Sequence, residues 1–190
     1  KAMRDTQEVQ ATTQREVTAA QAQGTLPAPV KDPKIVGPIM KSVWQQYTAT
    51  AEKYNDPGRF TAMIGYEWTS VPGGNNLHRN VLFRDGKDRA DQVFPFSSWQ
   101  SEDPEKLWAW MDQYETRTGG RLLAIPHNGN LSNGRMFELT DFSGQPLTRD
   151  YAERRARWEV LQEIVQTKGN SETHPTLAPN DEFAGDLGVA

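Results

Sequence analysis

The stretch Leu122–Asn128, with the sequence LLAIPHN, joins a short apolar run to a histidine placed directly after it. An apolar run of this length, bounded by Gly119-Gly120 and by a loop rich in Gly and Asn, is typical of a buried β-strand. His127 is then expected to project beyond the carboxyl end of the strand, where ligand sites of α/β proteins collect. The structural alternative is a histidine that only orders the loop after the strand.

Two further segments place a metal-binding residue type beside a predicted strand. Met63–Trp68 carries Glu67 near its end, and Leu77–Phe83 carries His78 near its start. A carboxylate and two imidazoles from neighbouring strand ends can hold one divalent cation and leave positions open for water and substrate. Taken alone, Glu67 could instead be a solvated strand end, and His78 a half-exposed, hydrogen-bonded histidine.

Helices and strands are predicted to alternate along the chain. Asp103-Pro104-Glu105 is a typical helix start, because Asp caps, Pro suits the first turn and an acid suits the positive end of the dipole. The predicted helices cover residues 36–54, 103–118 and 148–157, and the predicted strands cover 60–68, 77–84, 121–126 and 161–166. This alternation favours an α/β fold. Residues 1–33 are expected to be a helical or flexible arm with a Pro-rich linker, and residues 34–190 the α/β domain.

Five more residues are candidates for the same site. Glu163, inside a predicted strand, either supports an imidazole from behind or faces solvent at the sheet edge. Glu172 and His174 lie on a predicted loop and either approach the site or are simply exposed. Arg79 and Lys168 are candidates to hold an anionic substrate, an assignment that rests only on their positions in the sequence.

Composition excludes several classes of protein. The chain is 36% hydrophobic and 24% charged, with six Trp, which is typical of a folded globular protein. The net charge is −4 and no basic stripe is present, so we expect no nucleic-acid partner. The absence of cysteine excludes disulfides and thiolate chemistry. No apolar run approaches the roughly 20 residues of a membrane helix, so no membrane partner is expected either.

Four segments in this order, residues 60–68, 77–83, 125–130 and 163–172, resemble the uncharacterised DUF3604 family. That family is similar to the PHP (polymerase and histidinol phosphatase) superfamily of metal-dependent phosphoesterases. The resemblance implies a distorted (β/α)7 barrel with divalent metals (Zn, Mn or Fe) at the carboxyl ends of its strands. Glu67 matches the bridging glutamate of that superfamily, His78 and His127 match the two histidines that share a metal with it, and Glu163 matches a strand glutamate.

The chain also departs from the PHP pattern. It lacks the His-x-His motif of the first strand and the Asp-x-His motif near the end. We therefore expect an internal fragment with an incomplete barrel, whose exposed sheet edges can associate with another chain. Such a fragment is expected to bind metal weakly and to be a poor enzyme by itself.

Two functions of different classes follow. The first is a metal-dependent, phosphoesterase-like hydrolase that attacks a small anionic ester with metal-activated water. The second is a non-catalytic binding or structural α/β domain with an aromatic-rich surface. Metal analysis separates them.

Overall fold

Most helices and strands lie where the sequence predicts them. The computed structural model describes residues 33–166, with residues 20, 25, 169, 170 and 180 in addition. The chain divides into two compact units, residues 1–46 and 47–190. The helices are α1 (Pro33–Tyr54), α2 (Lys87–Ala90), α3 (Pro104–Thr118) and α4 (Arg149–Trp158). The strands are β1 (Ile64–Trp68), β2 (Arg79–Phe83), β3 (Leu122–Pro126), β4 (Val165–Gln166) and β5 (Gly169–Asn170).

The main sheet has the order β1-β2-β3 and is antiparallel throughout. Trp68 lies opposite Arg79, and Arg79 lies opposite Pro126. The end of β1, the start of β2 and the end of β3 therefore meet at one end of the sheet, and this end is the edge on which the candidate site lies. The mixed α/β content was predicted, but the described residues form this small sheet and not the barrel that the resemblance implies.

Side chains alternate between two different faces of this sheet. The apolar face packs on α3, where the rings of Phe83 and Tyr114 meet edge-on with centroids 5.2 Å apart. The buried core of the sheet and α3 consists of Ile64, Trp68, Val81, Phe83, Leu107, Trp108, Met111, Tyr114, Leu122 and Ala124. The opposite face is open, because Glu67 and Asn80 lie opposite each other there and both are exposed.

The predicted start and end of α3 are confirmed. The Asp103 carboxylate accepts a hydrogen bond from the Glu105 N–H at 2.8 Å, and Pro104 is the first helical residue. Gly119 ends the helix with φ 66°, a conformation that suits glycine. α4 begins in a similar way, since the Thr148 hydroxyl accepts from the Tyr151 N–H at 3.1 Å.

The amphipathic helix predicted at residues 36–54 is present as α1, but its apolar stripe is largely exposed. Trp44 is buried, whereas Ile39 and Val43 are more than half exposed. Thr48, a polar residue, is fully buried and donates to Asp91 Oδ1 at 2.7 Å. Within residues 33–166, no helix is long and apolar enough to cross a membrane.

The strand predicted at residues 161–166 is wrong for most of its length. Only Val165–Gln166 is a strand, and it pairs with Gly169–Asn170. Leu161 and Ile164, whose apolar character suggested a buried strand, are about half exposed. One backbone bond, from the Glu163 N–H to the Pro126 carbonyl at 3.1 Å, holds this irregular segment beside β3.

Candidate metal centre

The antiparallel register brings Glu67, His78 and His127 to the same edge of the sheet. Glu67 lies opposite Asn80 on the open face, and His78 precedes Asn80 by two residues, so it shares that face. The His127 N–H donates to the His78 carbonyl at 3.3 Å, which extends the pairing of β2 and β3 by one residue. The convergence that the sequence predicted is therefore present.

The Glu67 carboxylate lies between the two imidazoles. Its Oε1 is 2.9 Å from His78 Nδ1 and 2.8 Å from His127 Nε2. Potential ligand atoms of the three residues all lie within 4.8 Å of one another. The His127 side chain is 8% exposed but that of Glu67 is 45% exposed. The site is thus closed behind the imidazoles and open to solvent at the carboxylate.

Hydrogen bonds from the two imidazoles, with that from His127 the larger cause and that from His78 the next, hold the pKa of the Glu67 carboxyl well below its usual range. Glu67 is therefore an ionised acceptor at neutral pH, and each imidazole must present an N–H to it when no cation is bound. His127 has a second contact, from Nδ1 to the Ile125 carbonyl at 3.4 Å. A proton on Nδ1 would bond to that carbonyl and leave Nε2 free as a metal ligand, the usual arrangement of a metal-binding histidine.

His78 is the less completely satisfied imidazole. Its backbone N–H donates to Asn76 Oδ1 at 2.9 Å, which fixes the start of β2. Its Nε2 atom is buried and has no hydrogen-bond partner among the residues that the structure describes. Buried polar atoms normally have a partner, so a water molecule beside Nε2 would complete the environment of His78.

Arg79 lies on the opposite face of β2, away from the triad, and its predicted anion-binding role is not supported there. Its Nε lies 3.0 Å from Glu159 Oε1, and the side chain is only 2% exposed. Trp108 Nε1 donates to the same Glu159 oxygen at 2.9 Å, and Arg155 Nε donates to the other at 3.0 Å. A guanidinium that is buried and already paired has no open side for a substrate. Strand alternation from His78 was a signal for this placement, whereas no sequence signal pointed to Glu159.

The Glu163 side chain lies next to the triad, but it accepts hydrogen bonds from a backbone N–H and from the Gln166 amide, not from an imidazole. Its Oε2 accepts from the Asn128 N–H at 3.0 Å and from Gln166 Nε2 at 2.6 Å. Gln166 also donates to Asn128 Oδ1. The sequence prediction missed Asn128 and Gln166. The dipeptide Asn128-Gly129 was a usable signal, since Asn tolerates the left-handed conformation that Asn128 adopts, with φ 57°.

Three of the predicted site residues, Lys168, Glu172 and His174, lie outside the described residues. Their predicted roles stay predictions.

Comparison with known proteins identifies a family but no characterised relative. No curated protein and no solved structure matches the chain. The profile of a family described as "Protein of unknown function (DUF3604)" matches residues 1–186, which is nearly the whole sequence. The chain belongs to the DUF3604 family.

Proposed function

We propose that this protein is a metal-dependent hydrolase of phosphoesterase type, in which Glu67, His78 and His127 hold a divalent cation. The observation that carries the proposal is the single carboxylate oxygen lying within 2.9 Å of two imidazole nitrogens at a solvent-open sheet edge. Membership of a metal-dependent superfamily such as PHP would account for the same three residues.

The residues present fit such a cation. Two imidazoles and one carboxylate are a ligand set used by catalytic zinc, and manganese and iron also accept it. Tetrahedral ligands with bonds of 2.0–2.2 Å lie about 3.3 Å apart. The two contacts of Glu67 Oε1, at 2.8 and 2.9 Å, need to lengthen by only a fraction of an ångström. The potential ligand atoms lie within 4.8 Å of one another, so the two imidazole nitrogens would also have to approach each other by up to about 1.5 Å, through rotation of the histidine side chains.

When bound, the cation would supply a water of lowered pKa and polarise the ester. The protein's own contribution is to orient the imidazoles from behind and to leave the carboxylate side open. Asn80, exposed and directly opposite Glu67, is placed to donate an amide hydrogen bond to a substrate oxygen. A small anionic ester is the substrate class that we propose for this polar edge, and the anion-binding role of Lys168, which lies outside the described residues, stays a prediction.

The free sides of the two outer strands, β1 and β3, are a second part of the proposal. Among the described residues, β1 pairs only with β2, and β3 has β2 and the single bond from Glu163. Unpaired strand edges readily accept another strand. We therefore propose that one of these edges pairs with a further segment or chain.

A non-catalytic domain is the second candidate. It is favoured by the hydrogen bonds that Glu67 makes to both imidazoles without any cation, since a triad satisfied in this way could be purely structural. Exposed aromatic residues, including Trp99 at 50% and Phe60 at 62%, would then form the binding surface.

A metal titration of the metal-free protein separates the two candidates. We expect wild type to bind Zn²⁺, Mn²⁺ or Fe²⁺, and Glu67→Ala, His78→Ala and His127→Ala each to lose that binding. Glu153→Ala, which removes an exposed carboxylate on α4, is the matched control. Hydrolysis of a panel of phosphate esters by the metal-loaded protein then tests the chemistry, and we expect slow turnover because these three residues are only part of the ligand set that the PHP resemblance implies. Wild type that binds no divalent cation would favour the structural triad instead.

A further inference from the structure

We infer that Glu163 is a positioning residue that holds the imidazole of His127 in place, an inference that rests on the proposed metal site. Two hydrogen bonds join residue 163 to the peptide groups on either side of His127. The Glu163 N–H donates to the Pro126 carbonyl at 3.1 Å, and the Asn128 N–H donates to Glu163 Oε2 at 3.0 Å. We call this pair of bonds the Glu163 clamp.

The clamp fixes the backbone from which the His127 ring projects. A third bond, from the His127 N–H to the His78 carbonyl at 3.3 Å, ties the same residue to β2. With both flanking peptide groups held, only the side-chain torsions of His127 remain free, and its ring is nearly buried. The direction of His127 Nε2 toward Glu67 therefore depends on where residue 163 holds the chain.

The backbone just after His127 needs such support. Asn128 adopts φ 57° and ψ 36°, a left-handed conformation that non-glycine residues seldom occupy unless their surroundings impose it. A hydrogen bond to an ionised carboxylate is stronger than one between neutral groups. Gln166 adds further bonds, to Glu163 Oε2 and to Asn128 Oδ1. Together they hold the sharp turn that leads away from the metal centre.

The alternative role for Glu163 is a direct metal ligand. Its Oε2 already accepts two N–H groups, one from Asn128 and one from Gln166, which compete with a cation for the same lone pairs. The described cluster of potential ligand atoms contains Glu67, His78 and His127 but not Glu163. Its contacts thus favour a positioning role.

The test compares Glu163→Ala with Glu163→Gln in the full chain. Zn²⁺ affinity is measured by competition with a chromophoric chelator. We expect Glu163→Ala to weaken it by about 10- to 100-fold, the usual effect of losing a group that orients a ligand. Glu163→Gln should lose much less affinity, because an amide oxygen still accepts the Asn128 N–H, although more weakly than a carboxylate. Gln166→Ala, which leaves Glu163 in place, should show a smaller loss and serves as a second variant if Glu163→Ala does not fold.

A second readout does not depend on metal. The ¹⁵N chemical shift of His127 Nε2 in the metal-free protein reports its hydrogen bond to Glu67. Glu163→Ala should move this shift toward the value in Glu67→Ala, whereas Glu163→Gln should not. If wild type binds no Zn²⁺, the proposed function fails, but the ¹⁵N shift still shows whether the Glu163 clamp orients the His127 ring.

Two results would overturn the inference. The first is a Glu163→Ala protein with unchanged Zn²⁺ affinity and an unchanged imidazole shift. The second is a Glu163→Gln protein that loses as much Zn²⁺ affinity as His127→Ala, since this would mean that the Glu163 carboxylate binds the cation directly. The exposed Glu153→Ala controls for the loss of a carboxylate as such.

Discussion

Two carboxylates, Glu67 and Glu159, each accept hydrogen bonds from nitrogen-bearing side chains. Two consecutive residues, His78 and Arg79, bond to one carboxylate each. His78 reaches Glu67 at the open edge, and Arg79 reaches Glu159 in the core. The Glu67 side chain is 45% exposed and that of Glu159 only 3%. A contact between a carboxylate and a nitrogen-bearing side chain is thus partly exposed to solvent at Glu67 and buried at Glu159.

The difference shows that burial decides whether a carboxylate only stabilises the fold or can also bind a ligand. Both oxygens of Glu159 are occupied, by Arg79 and Trp108 on one and by Arg155 on the other. Its environment is complete and leaves no position for a ligand. Glu67 has both imidazole bonds on one oxygen, and its exposed side remains open to a cation or a substrate.

The largest effect is expected from Glu159→Ala, which breaks the buried cluster. Removing this carboxylate leaves Arg79 buried without its counter-charge, and breaking a buried pair in this way usually costs about 3–5 kcal/mol. Urea denaturation of the metal-free protein measures the loss. A loss below about 1 kcal/mol, the value of a surface ion pair, would remove the contrast between the two carboxylates.

His127→Ala should have the opposite profile. Metal affinity is expected to fall by more than about 100-fold, beyond the loss seen when only a supporting group is removed. The free energy of unfolding without metal should fall by about 1–2 kcal/mol, less than in Glu159→Ala, because the ring is buried but carries no unpaired charge. Chelator competition and a urea melt on the same sample check both values. A protein that keeps its metal but unfolds readily would place His127 with the structural cluster instead.

Glu67→Gln should change the pH dependence of stability. The pKa of Glu67 lies below its ordinary value in the folded protein because His127 and His78 bond to the carboxylate. Its ionised form therefore stabilises the fold at pH values above the unfolded carboxyl pKa of about 4.3, and this contribution is lost as the pH falls toward the folded pKa.

The stability difference between wild type and Glu67→Gln should accordingly be larger at neutral pH than at strongly acidic pH. Urea melts of both metal-free proteins across that range measure it. A difference that does not vary with pH would contradict the hydrogen-bonded carboxylate.

The smallest effect is expected from Arg149→Ala. Arg149 Nε lies 2.6 Å from Glu153 Oε1, the shortest Arg contact of those discussed, but the two side chains are 88% and 61% exposed. Exposed pairs contribute about 0.2–1 kcal/mol, so the urea melt should barely move. A loss comparable to that of Glu159→Ala would mean that distance and not burial decides the value of an ion pair here.

Local signals in the sequence predicted much of this structure. Asp103, Pro104 and Gly119 each act through their own backbone preferences, so the bounds of α3 could be predicted without knowing the fold. The placement of His127 after an apolar strand was equally local, and it pointed to the correct edge.

Features that depend on distant parts of the chain could not be predicted. Alternation of helices and strands does not specify strand direction, so the antiparallel sheet was not foreseen. The apolar residues Leu161 and Ile164 suggested a buried strand, but they are exposed. The role of Glu163 depends on a backbone N–H 35 residues away, and a backbone group carries no sequence signal.

The adjacency of His78 and Arg79 has a consequence for folding fidelity. A one-residue register shift of β2 would exchange the faces of these two residues and place Arg79 beside Glu67, a pairing that is also electrostatically favourable. Charge alone therefore barely discriminates against the misregistered chain. Val81 and Phe83, both fully buried, would be turned into solvent by the same shift. The burial of these two apolar side chains therefore fixes the register of the strand, and replacing them with polar residues would weaken the preference for that register.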